Sequence, residues 1–457
     1  MDDNPMNIGI ERRGTVLTAI WHVITILLGS GVLALAWSFA QLGWVAGPIV
    51  LVSMAALTYF TSALLADCYR YPDPVTGTVN PEYIDAVRCY LGPRNVFWCG
   101  FIQYASIWAT LLGYTITASD SASAVRKVNC LHHGDGSKCA SSDYFATYAI
   151  IVFGAVQILL SQLPSLHNIS WLSFFSVATS CIYSTISLGL CFAKWATHNK
   201  SHGTVFGAVA GSGLDKATNV FLAVGNIAFT YAYADVQIEI QDTLKAPPAE
   251  NKTMKKASLY GLSISTVFCM LLGVSGYAAF GNSVSGNILT GTAVHEPFWL
   301  IHLANICVIL HFIGAYQVFA QPIFARMETY VAHMWPASYF VTTGYDLYVM
   351  GWLIRLSFMK LVLRTGIIIF TTLVATLMPF FNPVLGLIGA VGFWPLSVYF
   401  PVSMHLTRLK IGRRDSRWWL LHTLSMLCLA LSIFMGSASV LDIVTKMKGA
   451  TIFKTAD

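Results

Sequence analysis

Apolar runs of about twenty residues or more recur eleven times along this 457-residue chain, and they constrain its fold more than any other feature. They fall at 16–40, 44–66, 96–124, 144–163, 171–194, 217–244, 257–280, 298–327, 362–381, 383–407 and 418–444. A bilayer core takes ~20 residues of helix to cross. Inside hydrocarbon, backbone amides and carbonyls must be satisfied within a helix or a closed barrel, and runs of this length select the helix. The expectation is an all-α multi-span membrane protein with eleven transmembrane helices. Composition agrees: 56% of the residues are hydrophobic and 11% charged, where a soluble domain carries about 25% charged residues. The net charge of +6 sits in short basic clusters between the runs, which implies a lipid bilayer as partner and no nucleic acid. The first 15 residues are polar, and Arg12 and Arg13 lead straight into a long apolar run, so no cleavable signal is expected.

Tight turns are expected at Gly43 with Gly47-Pro48, and at Asn382-Pro383. The longest gaps are 67–95 and 328–361. "NPEYIDAVRCYLG" in the first has helical apolar spacing and suits a helix lying along the membrane surface. With the N-terminus cytoplasmic, the inside segments hold 18 Lys and Arg and the outside segments 9. That bias predicts an inside N-terminus and, after eleven spans, an outside C-terminus. Of ten cysteines, most stand singly in apolar runs. Cys130 and Cys139 share the polar loop "VNCLHHGDGSKCASSD", placed outside, where disulfides persist, and are expected to pair. His132 and His133 in that loop match no zinc spacing, and no metal is expected. Asn199, in "NKS", is the one glycosylation sequon on the outside; those of Asn168 and Asn251 fall inside.

Two runs carry irregularities. "GSGVLAL", residues 29–35, sets two glycines about a serine inside an otherwise helical stretch. Close helix packing through small residues accounts for it, and so does a break in the helix. The sixth run, "AVGNIAFTYAYADVQIEIQDTL", carries Gly225, Asn226, Thr230, Tyr231 and Tyr233, with Asp235 near mid-span. A polar patch at that depth is costly unless it lines a cavity or a partner surface. The two runs lie about 200 residues apart, and each opens a set of five spans. Interrupted helices at matching places in two halves point to the binding site of a secondary transporter. A half-helix beginning after Gly29-Ser30-Gly31 would present a partial positive charge to a carboxylate.

"GSGVLALAWSFAQLGWVAG", "ADCYRYPDPVTG", "GYTITAS", "IEIQDTLKAPPAENKTMKKAS", "GYAAFGN", "EPFWLIHLANICVILHFIGAYQVFAQPIF" and "NPVLGLIGAVGFWPLSVYFPV" occur in this order. The chain thereby resembles the plant amino acid permeases, of the amino acid/auxin permease branch of the amino acid–polyamine–organocation superfamily. The resemblance runs from about Thr15 to Val402 and weakens at both ends. It implies a LeuT-like five-plus-five inverted repeat with broken helices 1 and 6, plus an eleventh helix. It implies proton-coupled uptake of free L-amino acids at the plasma membrane, with substrate between helices 1 and 6, walled by helices 3 and 8. The divisions expected are a cytoplasmic tail (1–15), a first repeat (16–194), an extracellular connector (195–216), a second repeat (217–407), and helix 11 with an extracellular tail (408–457). Auxin importers and lysine–histidine transporters are the related alternative. A nutrient sensor on the same scaffold is disfavoured by the short tails.

The substrate-binding residues expected are Gly29, Ser30, Gly31, Val32, Phe229, Thr230, Tyr231 and Asp235, with Tyr316 and Gln317 as polar walls or as packing residues. His22, before the break, and His311, mid-span in helix eight, are candidate proton-coupling groups, histidine being able to change charge near physiological pH; each could equally be a packing residue. The family has histidines at both corresponding places. No cofactor is expected, the coupling ion being the proton. Three readings stay open for Asp235: proton carriage, attraction of a cationic substrate side chain, or a hydrogen bond to Tyr231 or a neighbouring helix. Relatives more often carry a small neutral or hydroxyl residue there. Glu239 and Asp242 suit an inner gate closed by ion pairs with Arg12 or Arg13; proton carriage is the alternative. With no zinc-protease spacing, no "GxSxG" and no pair of acidic clusters, an enzyme is not expected.

Overall fold

The computed structural model describes residues 12–132, 145–162, 170–198, 201–208, 211–291, 297–349 and 352–449. Helix α1 (Val16–Leu27) opens with a reciprocal cap between Thr15 and Thr18 and buries Ala19, Val23, Ile24 and Leu27. It stops at Leu28 and Gly29. A 3-10 turn, Ser30–Ala34, then leads into α2 (Leu35–Ala66). Gly43 interrupts α2 with a φ of 83°, a left-handed conformation that favours glycine. This is the expected turn between the first two runs, and Pro48 follows within the next helical turns. A side chain at Gly43 would also overlap the backbone of Val205 and Gly207.

A short antiparallel pair, β1 (Arg70–Tyr71) and β2 (Thr78–Val79), precedes α3 (Tyr83–Leu91). Tyr83, Ala86, Val87 and Tyr90 of α3 are buried, the stripe expected of "NPEYIDAVRCYLG". Then come α4 (Pro93–His132), α5 (Phe145–Ser161), α6 (Ser170–His198), α7 (Gly213–Thr230), α8 (Ala234–Asp242), α9 (Glu250–Phe280) and α10 (Phe298–Met334). The stretch after α10 holds the one-turn α11 (Tyr339–Thr342) and a hairpin, β3 (Gly344–Val349) with β4 (Trp352–Ser357), in register Gly344 to Ser357. The bundle is all-helical as expected, and two small strand pairs sit in the two long gaps between the runs. Helices α12 (Phe358–Leu377), α13 (Phe381–Gly392), a π-helical stretch Phe393–Tyr399, α14 (Phe400–Arg408) and α15 (Ser416–Gly449) complete the chain.

Among the described residues, eight helical stretches are long and apolar enough to cross a membrane. The sequence count of eleven differs because α1 and α5 are shorter apolar helices and the 217–244 run is split into α7 and α8. Helix α2 packs on α9 and α7, α4 and α6 on α10, and α13 on α7 and α15. Large apolar side chains such as Phe97, Trp98, Leu159 and Leu420 stay exposed on the outer faces, as lipid contact requires.

Candidate functional site

The two irregular runs meet. Gly29 has φ −80° and ψ −149°, so its break needs no left-handed backbone, contrary to what the glycines suggest. The demand for small size is at Gly31: a Cβ there would overlap Thr230 Oγ1 and lie 3.0 Å from Thr230 Cα. The 3-10 turn thus rests directly against the end of α7. Leu28, at the break, offers its carbonyl to the Tyr183 hydroxyl of α6 at 3.0 Å.

The interruption between α7 and α8 spans Tyr231, Ala232 and Tyr233, without a glycine or proline. Its tyrosines are anchored outward. The Tyr231 hydroxyl pairs with Thr266 Oγ1 of α9 at 3.0 Å. That of Tyr233 pairs with Ser62 of α2, whose Oγ also donates to Ser258 at 3.0 Å. Helix α8 then starts with Asp235 in its first turn.

Between these interruptions lies a cavity of about 30 Å³, lined by Gly29, Ser30, Gly31, Phe229, Thr230 and Asp235. Residues the sequence reading did not single out complete it: Ile26, Leu27, Ala232, Ser106, Thr110, Tyr114, Phe319 and Ile388. Ser106, Thr110 and Tyr114 recur at i, i+4 and i+8 on α4, so a polar stripe in the third run was the available signal. The volume suits a water or two, so an amino acid requires the site to open. The Ser30 hydroxyl is buried without a hydrogen-bond partner among the described residues and is open to a ligand. The first amides of the 3-10 turn lack intrahelical acceptors by geometry.

Other expected site residues are placed elsewhere. Val32 is fully buried in the core and Tyr231 turns to α9; neither lines the cavity. Tyr316 packs edge-on against Phe153, with ring centroids 5.9 Å apart. Gln317 donates to the Gln157 side chain at 2.6 Å and its carbonyl at 3.1 Å. Both residues sit at the contact of α10 with α5 and outside the cavity lining, because that face of α10 is taken up by a neighbouring helix. His311 is buried, with Nδ1 2.8 Å from the Ser176 carbonyl. A carbonyl only accepts, so Nδ1 donates in this contact. The ring meets that of Tyr183 edge-on at 5.6 Å, and Tyr183 leads to Leu28. His22 is exposed on the side of α1 and does not line the cavity.

Asp242 forms an ion pair with Arg12 at 2.7 Å and accepts from the Tyr69 hydroxyl at 2.6 Å. Gly14 and Lys245 exchange backbone bonds with Thr243 and Gly14, at 2.9 Å each, so the segment before α1 is held against the end of α8. Glu239 has no ion pair among the described residues, in contrast to the expected gate: Oε1 meets the Tyr83 amide at 3.5 Å, and Oε2 is buried without a hydrogen-bond partner. Helix α8 sets it beside the start of α3. The sequence reading missed the cluster beside this pair. Asp67 holds Lys255 at 2.6 Å, Arg408 at 3.1 Å and the Asn251 amide at 2.9 Å, and Arg70 pairs with Glu250 at 2.6 Å. Burial pushes the Asp67 carboxyl up, but hydrogen bonds from Lys255 and Asn251 and the charge of Arg408 outweigh it and hold it below its ordinary value. No group of three or more metal-ligating side chains occurs among the described residues. Cys130 is disulfide-bonded; Cys139 and Asn199 lie outside the described residues.

Residues 12–445 match the family described as "Transmembrane amino acid transporter protein". Amino acid permease 6 of Arabidopsis thaliana is 49% identical over 445 residues, covering 96% of this chain and 92% of that protein. Amino acid permease 3 of the same plant is 43% identical over 458 residues, covering 100% and 95%. Lysine histidine transporter-like 6, also from Arabidopsis thaliana, is 29% identical over 410 residues, covering 89% and 86%. Among solved structures, MhsT in complex with L-phenylalanine superposes with a TM-score of 0.54 at 12% identity, covering 92% of this chain and 98% of that one. Mhp1, a nucleobase-cation-symport-1 family transporter in a closed conformation with bromovinylhydantoin bound, gives 0.53 at 15% identity, covering 95% and 92%. At such identities the likeness is one of fold.

Proposed function

The chain belongs to the transmembrane amino acid transporter family, a family of carriers and not of enzymes, and from that premise we propose that it is a proton-coupled symporter bringing amino acids into the cell across the plasma membrane. In this reading the chain crosses eleven times, with α1 and the 3-10 turn as a broken first helix and α7 with α8 as a broken sixth. Residues 16–194 and 217–407 form two inverted five-helix repeats, joined by an extracellular connector at 195–216. The 1–15 segment is cytoplasmic and 408–457 holds the eleventh helix and an extracellular tail; Cys130 and Cys139 pair in the extracellular loop after helix 3, and Asn199 is glycosylated in the connector. The observation that carries the reading is that both interruptions line one cavity.

The substrate carboxylate takes the free amides at Gly29–Gly31 and the Ser30 hydroxyl, where the helix terminus favours an anion. Phe229, Thr230 and the α4 hydroxyls meet the rest of a broad range of neutral amino acids. The Arg12–Asp242 pair closes the cytoplasmic side while the site is open outward, and opening parts it. Proton coupling runs through His311, whose ring touches Tyr183 and through it the carbonyl of Leu28 at the break. His22, on the first helix itself, is a second coupling group. A potential contributes ~2.3 kcal/mol per charge per 100 mV and each pH unit ~1.4 kcal/mol per proton. One proton crossing ~150 mV and ~1.5 pH units thus supplies ~5.5 kcal/mol, enough for roughly 10⁴-fold accumulation.

The test is current in voltage-clamped cells across amino acids, external pH and sodium. Inward currents are expected to grow as external pH falls and to persist when choline replaces sodium, with His311→Ala weakening the pH dependence. Currents that vanish without sodium overturn proton coupling. Uptake of indole-3-acetic acid in preference to amino acids would transfer the chain to the auxin carriers. Binding without accumulation would make it a sensor.

A further inference from the structure

We propose that Asp235 reads the substrate side chain: its carboxylate is the counter-charge for the ammonium or guanidinium group of lysine and arginine, and the site takes cationic amino acids as well as neutral ones. This rests on the carrier reading above and names a substrate class for the same cavity. Asp235 lines the cavity together with the break at Gly29–Gly31. Its place is held from behind, since Gln103 of α4 donates to its backbone carbonyl at 3.1 Å. The side chains facing it across the cavity are Ser106, Thr110 and Tyr114 of α4, Phe319 of α10 and Ile388 of α13. These are hydroxyls and apolar groups; among the described residues no lysine, arginine or histidine lines the cavity. Tyr231 does not supply the missing partner, because its hydroxyl goes to Thr266.

One turn further along α8, Glu239 adds a second carboxylate with an unpartnered buried oxygen and no ion pair among the described residues. Among the described residues the protein's own groups therefore bring no cation to either carboxyl. A carboxylate removed from water without a cation is costly. A substrate that brings the cation removes that cost, whereas one bringing a second carboxylate adds repulsion. A neutral side chain gains nothing from it. The α-ammonium group common to all amino acids is the competing partner, and a proton is the other. Either would make Asp235 matter equally for every substrate, whereas a side-chain reader changes the ratios between substrates.

The experiment uses the full chain in voltage-clamped cells, with surface protein quantified. Lysine, arginine, leucine and glutamate are compared by maximal current over half-saturating concentration. Asp235→Ser and Asp235→Asn are expected to lower the lysine-to-leucine and arginine-to-leucine ratios about 10- to 100-fold, the range of one charge-assisted contact, and to raise the glutamate-to-leucine ratio. Asp235→Glu, which keeps the charge, restores the cationic preference. Unchanged ratios overturn the proposal, and so does an equal loss for all four substrates. Should the variants fail to reach the surface, the wild-type protein decides: arginine must inhibit leucine uptake more strongly than citrulline, its uncharged isostere. Equal or weaker inhibition by arginine overturns the inference while leaving the carrier reading intact. A surface-expressed protein that moves no amino acid at all overturns the carrier reading instead.

Discussion

Carboxylates are treated in opposite ways in two regions of this molecule. On the face formed by the ends of α2, α8 and α14 and the start of α9, Asp67, Asp242 and Glu250 each hold an arginine or lysine within 3.1 Å. At the cavity, Asp235 meets only hydroxyls, apolar groups and backbone among the described residues. The chain has cations enough to neutralise its acids, and uses them where helices must be tied together. The difference teaches that an acid without an ion-pair partner is a local property of the cavity. On the tied face the partner belongs to the fold; in the cavity it has to arrive from outside.

Supplying that partner internally gives the largest expected effect. Thr110→Lys sets an ammonium across from Asp235 and fills a space of about 30 Å³, so uptake of every substrate should vanish with surface protein retained. Gly31→Leu is its uncharged counterpart, driving a side chain into Thr230. Uptake should again be abolished, and full transport by this variant would show that the 3-10 turn does not contact substrate.

The opposite manipulation, on the tied face, should cost stability before transport. Asp67→Ala leaves Arg408 and Lys255 without their carboxylate, at about 2–3 kcal/mol after allowing for the partial exposure of Lys255; thermal unfolding of the purified protein measures it. Because the folded Asp67 carboxyl is held low, its contribution is complete above the unfolded value of about 3.9 and is lost as pH falls through the folded value. Acid should therefore destabilise the wild type more steeply than Asp67→Asn.

Smaller effects separate the two interruptions. Tyr233→Phe removes the bond to Ser62 from one interruption and touches no charge. A loss of about 1 kcal/mol should lower uptake about fivefold if that bond holds the transporting conformation. Arg12→Ala, breaking a pair whose side chains are 36% and 25% exposed, should change uptake least, by the equivalent of at most about 1 kcal/mol, and less in high salt. A larger effect from Arg12 than from Asp67 would reverse the ranking of the two ties.

Legibility followed the same division. The Gly29-Ser30-Gly31 break could be read because small residues in an apolar run carry their own signal. The interruption after Thr230 was harder, since neither glycine nor proline marks it; the polar residues pointed there, but the anchors of Tyr231 and Tyr233 lie on α9 and α2. Charge pointed to an ion pair of Glu239 or Asp242 with Arg12 or Arg13, of which Asp242 with Arg12 forms, whereas Asp67 was not singled out, its partners being nearly two hundred and more than three hundred residues away along the chain. Tyr316 and Gln317, for which polar wall and packing were both open, pack on α5.

Sequence alone sufficed for the helical membrane character, the placement of the apolar runs and the two irregular stretches. Each follows from length, polarity and residue size within one segment. Tertiary structure decided which faces meet: that Gly31 lies against Thr230, that Ser106, Thr110 and Tyr114 wall the cavity, that His22 faces outward, and that Asp235 has no cation beside it among the described residues. The physical reason is that membrane helices are apolar on nearly every side, so periodicity does not separate the face that meets lipid from the face that meets a neighbour. Close packing and the few buried polar bonds make that choice, and both exist only once the helices have assembled.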